Sequence, residues 1–138
     1  MSIDLRSHTP VYVQLADLLR RRIESGELPP GSELESEARL SQEYGIGRDA
    51  VRRAIAVLRS EGLVSTTRGH ATRVRERPER RSIELPPGGS AVTRMPSDGE
   101  RRTLQLEEGV PVLEIRTAKG EVEVLPGDEV ELTRPSSD

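Results

Sequence analysis

Residues 36–62 read SEARLSQEYGIGRDAVRRAIAVLRSEG, and this stretch decides the fold. Ser36 can cap a short helix carrying Ala38, Leu40 and Tyr44, which Gly45 closes. Only Gly45-Ile46-Gly47 separates it from a second helix, roughly Arg48 to Glu61, ended by Gly62. In that second helix Val51, Ala54, Ile55 and Leu58 stand at i, i+3, i+4 and i+7, a single apolar stripe. With the stripe turned inward, Arg48, Asp49 and Arg52 project from the outer face of its first turns. Two helices joined by so tight a turn predict a helix-turn-helix.

Upstream, Thr9 can cap and Pro10 can open a first helix. Val11, Leu15, Leu18, Leu19 and Ile23 recur along it at helical spacing until Ser25-Gly26 stops the run. Pro29-Pro30-Gly31 makes Glu27 to Leu34 a turn with a short extended arm. Downstream, two alternating segments, Leu63–Thr67 and Thr72–Glu76, flank Arg68-Gly69-His70-Ala71 and predict a hairpin. The fold class is therefore α+β. An N-terminal winged helix-turn-helix of three helices and a β-hairpin wing (residues 1–77) precedes a linker (78–90). The linker is set by its charge and by Pro86-Pro87-Gly88-Gly89. Residues 91–138 form a small, mostly antiparallel β domain, with strands expected at Thr103–Leu106, Val112–Ala118, Glu121–Leu125 and Glu129–Thr133. The last three are expected as a meander with Val112, Ile115, Val122, Val124, Val130 and Leu132 on its apolar positions. Glu121, Glu123, Glu129 and Glu131 would take the other face. The tail from Pro135 to Asp138 is expected to fray.

Composition narrows the function. The 138 residues contain no Cys, Phe or Trp, so disulfides and thiolate metal sites are excluded and the core is aliphatic. No apolar run approaches the roughly 18 residues of a membrane span. The N-terminus lacks the basic flank and apolar run of a leader, which predicts a soluble, cytoplasmic protein. The net charge of −3 conceals a division. Residues 1–77 hold thirteen Arg against eleven acidic residues; residues 78–138 hold eight basic against thirteen acidic. The halves thus carry +2 and −5, and a locally basic first half suits nucleic acid.

Residues 10–74 resemble the DNA-binding domain of the GntR family of bacterial regulators. The resemblance is carried by Pro10-Val11-Tyr12-Val13-Gln14-Leu15 and by Ile23-Glu24-Ser25-Gly26-Glu27-Leu28-Pro29-Pro30-Gly31-Ser32-Glu33-Leu34. Ser36-Glu37, Gly45-Ile46-Gly47-Arg48, Val51-Arg52-Arg53-Ala54, Leu58 and Glu61-Gly62-Leu63-Val64 continue it. Beyond the linker, Leu104-Gln105-Leu106 and Gly109-Val110-Pro111-Val112-Leu113-Glu114-Ile115-Arg116 resemble a piece of the HutC-type effector domain. The available length predicts a truncated version.

The resemblance implies that the helix from Arg48 lies in the DNA major groove, with Arg48 and Arg52 contacting guanine or phosphate. Arg53, Gly47, Ser36 and Arg39 are the neighbouring candidates. The reading of the bare residues also allows a solvated arginine face. Asp49 stands where the family often has a neutral polar residue. It either favours the positive helix N-terminus or accepts from cytosine N4. Gly47 replaces a frequent Ser, Ala38 a frequent Arg, and Glu35 a frequent Pro. Arg68 and Gly69 match the family's wing-tip contacts to the minor groove; His70 either touches the DNA backbone or is an exposed loop residue. Arg73 and Arg75 could face phosphate, and Arg20-Arg21-Arg22 reads as a solvated helix face.

The expected protein is a sequence-specific regulator of double-stranded operator DNA, a repressor acting as a homodimer through its second half. Packing of that half on its own first domain is the alternative. No catalytic residue, metal ligand or cofactor is expected, because no nucleophile–base arrangement, phosphate loop or metal spacing is present. Two other classes remain: a sensor whose second half binds a small-molecule effector, and a protein–protein adaptor that has lost DNA. Titration with metabolites separates the first; Asp49, Ala38 and Ala71 are the residues that allow the second.

Overall fold

A short aliphatic core explains the first half of the computed structural model, which describes residues 2–67 and 69–134. Helix α1 (Val11–Glu24) turns Leu15, Ala16 and Leu19 inward. Thr9 does not cap it. Pro10 occupies the N-cap without a side-chain bond, and the Thr9 carbonyl accepts from the Gln14 amide at 2.9 Å. Helix α2 (Glu37–Tyr44) is capped by the Ser36 hydroxyl, which accepts from the Arg39 N–H at 3.1 Å. Gly45 ends α2 in the left-handed region at φ 67°, where a side chain would be strained. Ile46 then drops into the core, its N–H bonded to Ser41 O at 3.1 Å. Helix α3 (Arg48–Ser60) follows at once.

The wing pairs β1 (Val64–Thr66) with β2 (Thr72–Val74), Val64 opposite Val74. The arm after α1 adds itself to the far edge of β2 by Leu34 N–H to Thr72 O at 2.8 Å and Val74 N–H to Ser32 O at 2.8 Å. Leu28, Leu34, Val64 and Val74 thereby close the core formed by the three helices. Two arginines of α1 act as struts instead of the solvated face expected of them. Arg20 grips Glu61, at the end of α3, through two bonds of 2.9 and 2.6 Å. Arg22 reaches Glu35 at 2.8 Å.

Residues 77–138 form a separate compact unit. Its strands are β3 (Arg81–Glu84), β4 (Ser90–Arg94), β5 (Val112–Arg116), β6 (Val122–Pro126) and β7 (Val130–Thr133), with helix α4 (Asp98–Thr103) between β4 and β5. A three-stranded antiparallel sheet runs β4-β5-β6, while β3 and β7 pair in parallel.

Four expectations for this half are corrected. The stretch 78–90 is not wholly a linker, because Arg81–Glu84 is a strand whose Ile83 packs on Leu113, Ile115 and Val130. Thr103–Leu106 is not a strand. Ser97 and Glu100 form a reciprocal capping box that starts α4 over Asp98–Thr103, and Gln105 then turns at φ 55°. The last three strands are not a meander. After β6 the chain pairs with β3 and brings Val130 onto Leu113 and Ile115; extending the β6 edge would leave that apolar face uncovered. The expected segregation of faces also fails, since Glu123 stands opposite Ile115, and Val122 and Leu132 are 48% and 44% exposed. The expected fraying of residues 135–138 lies outside the described residues.

Candidate nucleic-acid interface

The apolar stripe of α3 faces the core. Val51, Ala54 and Leu58 are fully buried and Ile55 is 6% exposed, so the opposite side of the helix is presented outward. Arg48, Asp49, Arg52 and Arg53 all lie on that exposed side. Gly47 holds the N-cap in extended geometry with no side-chain cap, which leaves the first N–H groups of α3 open to an anion. The B-DNA major groove is about 12 Å wide, enough to admit a helix mounted in this way by its exposed N-terminal end.

The arginines here are not equivalent. Arg48 has no partner among the described residues, and its guanidinium is available to an incoming ligand. Arg52 is held from two sides: its Nε donates to Glu37 Oε2 at 2.9 Å and its Nη1 to Asp49 Oδ1 at 3.4 Å. Arg53 lies over the Tyr12 ring of α1, 4.0 Å from the centroid, a cation–π contact that ties α3 to α1. Ser36 spends its acceptor on capping α2, and Arg39 is exposed one turn into that helix. In the wing, Gly69 turns at φ 81° and is exposed, and the N–H of exposed His70 bonds Thr67 O at 2.9 Å. Arg68 lies outside the described residues.

Two wing arginines are drawn away from a ligand. Arg73 pairs with Glu33 at 2.6 Å and bonds Gly31 O at 3.1 Å, and Arg75 donates to Gly62 O at 3.0 Å. Glu37 is the residue at this site that the sequence reading did not place there. Its type and position at the start of α2 were visible, but its reach to Arg52 depends on how α2 and α3 cross.

The electrostatics behind the site sort the charges further. The hydrogen bonds that Arg20 donates to Glu61 raise it above the ordinary arginine value, and those that Arg22 donates to Glu35 do the same for Arg22. Burial pushes the Glu35 carboxyl up, but the Arg22 hydrogen bond and charge outweigh it and hold it below the usual range. These guanidiniums are committed to the fold, whereas those at the start of α3 stand at the surface. Among the described residues, no group of three or more His, Asp or Glu side chains could hold a metal ion. No helix among them is long and apolar enough to cross a membrane.

Residues 11–74 match the family model described as bacterial regulatory proteins, gntR family. The chain is 39% identical over 69 residues to the mannosyl-D-glycerate transport/metabolism system repressor MngR of Escherichia coli, covering 50% of this chain and 29% of that protein. It is 38% identical over 72 residues to the HTH-type transcriptional repressor NagR of Bacillus subtilis, covering 52% and 30%. The chain thus spans about three-tenths of the length of these curated relatives. Among solved structures it resembles YtrA from Sulfolobus acidocaldarius, a GntR-family transcription factor. There the identity is 35% and the TM-score 0.51, over 54% of this chain and 79% of that one.

Proposed function

The chain belongs to the GntR family through residues 11–74, and from that premise we propose that it is a sequence-specific operator-binding regulator, acting as a repressor. The observation that carries this reading is the orientation of α3: its aliphatic stripe is buried and its arginine-bearing start is exposed. Arg48 and Arg52 enter the major groove, each able to clamp a phosphate or to make a bidentate guanine contact worth about 1–3 kcal/mol of discrimination. Gly47 and the open N–H groups of α3 approach phosphate; Asp49 stands at the base edges beside Arg52. Ser36 and Arg39 flank the groove from α2, Arg53 braces α3 against α1, and Arg68, Gly69 and His70 form the wing tip toward the minor groove.

The relatives named as repressors support the sign of regulation. One winged helix reads one half-site, and two half-sites need two copies held at a fixed spacing. The second unit is the dimerisation element, with residues 1–76 as DNA-binding domain and 77–138 as the pairing module. Val92, Val122 and Leu132, 51%, 48% and 44% exposed, are apolar positions it leaves uncovered. The protein works as a binding protein in the cytoplasm, without catalysis, where its operator is accessible.

Selection from a random duplex pool tests the reading. The expected result is an enriched, inverted-repeat motif bound by the wild type. Enrichment of no sequence by a folded protein would overturn it.

A further inference from the structure

We propose that Glu37 and Asp49 form an acidic bracket that makes Arg52 a directed guanine reader, with Asp49 itself selecting cytosine at the neighbouring base pair. This rests on the DNA-reading assignment above and adds to it the identity of two adjacent bases.

Arg52 carries five N–H donors on a rigid planar fork. Glu37 takes the Nε donor at 2.9 Å, which fixes the plane of the fork from a different helix. Asp49 takes one Nη1 hydrogen at 3.4 Å from the side. Three donors remain, one Nη1 hydrogen and both hydrogens of Nη2, enough to present a two-donor edge. That edge matches the O6 and N7 acceptors of guanine. Arg48, one turn earlier on the same helix, lacks any such restraint among the described residues and is left free to follow phosphate. Two arginines of identical chemistry therefore have different tasks because only one is held.

Asp49 is the more unusual member. Its side chain is 96% exposed, and its contact with Arg52 is long, so the carboxylate retains acceptor capacity directed outward. A carboxylate accepts and cannot donate. In the major groove guanine shows it two acceptors, thymine an acceptor and a methyl, and adenine an acceptor beside its donor. Cytosine N4 alone offers a donor without an adjacent acceptor on the same base. Two carboxylates so near the phosphates also lower general affinity, so the bracket exchanges non-specific attraction for selectivity. Glu37 is a positioning residue here; Asp49 touches the base.

The test is selection from a random duplex pool by the full-length wild type, Asp49→Asn and Glu37→Ala, with circular dichroism melts to verify that each is folded. The wild type is expected to enrich a guanine beside a cytosine. Asp49→Asn keeps the guanine and changes the cytosine to adenine, since an amide pairs with adenine N6 and N7. Glu37→Ala is expected to lose about tenfold of the discrimination at the guanine while binding unrelated DNA as well as the wild type or better. If both folded variants enrich the wild-type motif unchanged, the bracket does not act and the proposal is overturned, while DNA reading stands. If the wild type enriches nothing, the underlying function fails and the proposal falls with it.

Discussion

The two units of this chain are built from the same aliphatic alphabet and spend it differently. Among the described residues of 1–76, thirteen buried side chains from three helices, the turn before α3, the arm and the wing meet in one cluster, with seven more residues of the helices and N-terminus and Leu63 packed against it. Among the described residues of 77–138 the corresponding cluster has three buried members, Leu113, Ile115 and Val130, with Ile83, Ala91 and Leu125 around them. Charge follows the same division. The first unit uses carboxylates to lock arginines into the frame, as Glu61 does for Arg20, and leaves the start of α3 exposed. The second carries the excess of acid and leaves apolar strand positions uncovered. A unit with a sufficient core can present charge for recognition; one with a thin core is a better substrate for association.

Core truncation breaks the comparison most sharply. Leu58→Ala, at a fully buried position on α3, should destabilise the first unit by about 2–5 kcal/mol in chemical denaturation. Ile115→Ala should cost nearer the lower bound, about 2 kcal/mol, because fewer neighbours surround it. An equal or greater cost at Ile115 would show that the second core is not the weaker one. Truncation after Glu76 comes next. The shortened chain is expected to remain helical and to sediment as a monomer where the full chain sediments as a dimer. Sedimentation of both as dimers would move the association surface into the first unit.

Acid sharpens the contrast within the second unit. The Arg94 guanidinium holds the Glu100 carboxyl at about 2, against an ordinary 4.5, through bonds of 2.7 and 2.8 Å. A carboxylate lowered in the fold contributes stability that is complete above about 4.5 and lost as pH falls toward 2. Glu100→Gln preserves the capping box chemistry and should flatten the pH dependence of melting across that window. An unchanged slope would remove Arg94–Glu100 from the account of acid lability. The smallest effect is expected at Arg20→Ala. Its ion pairs with Asp17 and Glu61 lie at the surface, with the Arg20 side chain 26% exposed, so the loss in melting free energy should be about 1 kcal/mol.

What could be read from residues alone follows the same division. The first unit was legible because its signals are local: an apolar stripe with period 3.6 in α3, a cap at Ser36, a left-handed stop at Gly45 and a hairpin after Gly62. Its bracket was not, since the Glu37–Arg52 bond joins residues 15 apart across a helix crossing. Arg53 on Tyr12 is hidden for the same reason. In the second unit, Ser97-Asp98-Gly99-Glu100 did contain a capping-box signal, but α4 has no buried residue and hence no stripe to announce it. The parallel pairing of β3 with β7 spans about 50 residues of chain, and no turn signal specifies it. Short alternating segments predicted β5 and β6 well and could not say which partner β7 would choose.

The central claim is that the outward start of α3 recognises operator sequence, and a fluorescence-anisotropy titration tests it most directly. The duplex enriched by the wild type would be titrated with wild type, Arg48→Ala and Arg52→Ala, each matched in circular dichroism. Both variants are expected to stay folded: Arg52→Ala should lose at least tenfold in affinity for that duplex relative to unrelated DNA, and Arg48→Ala should bind both duplexes more weakly. Wild-type affinity and selectivity in both folded variants would contradict it.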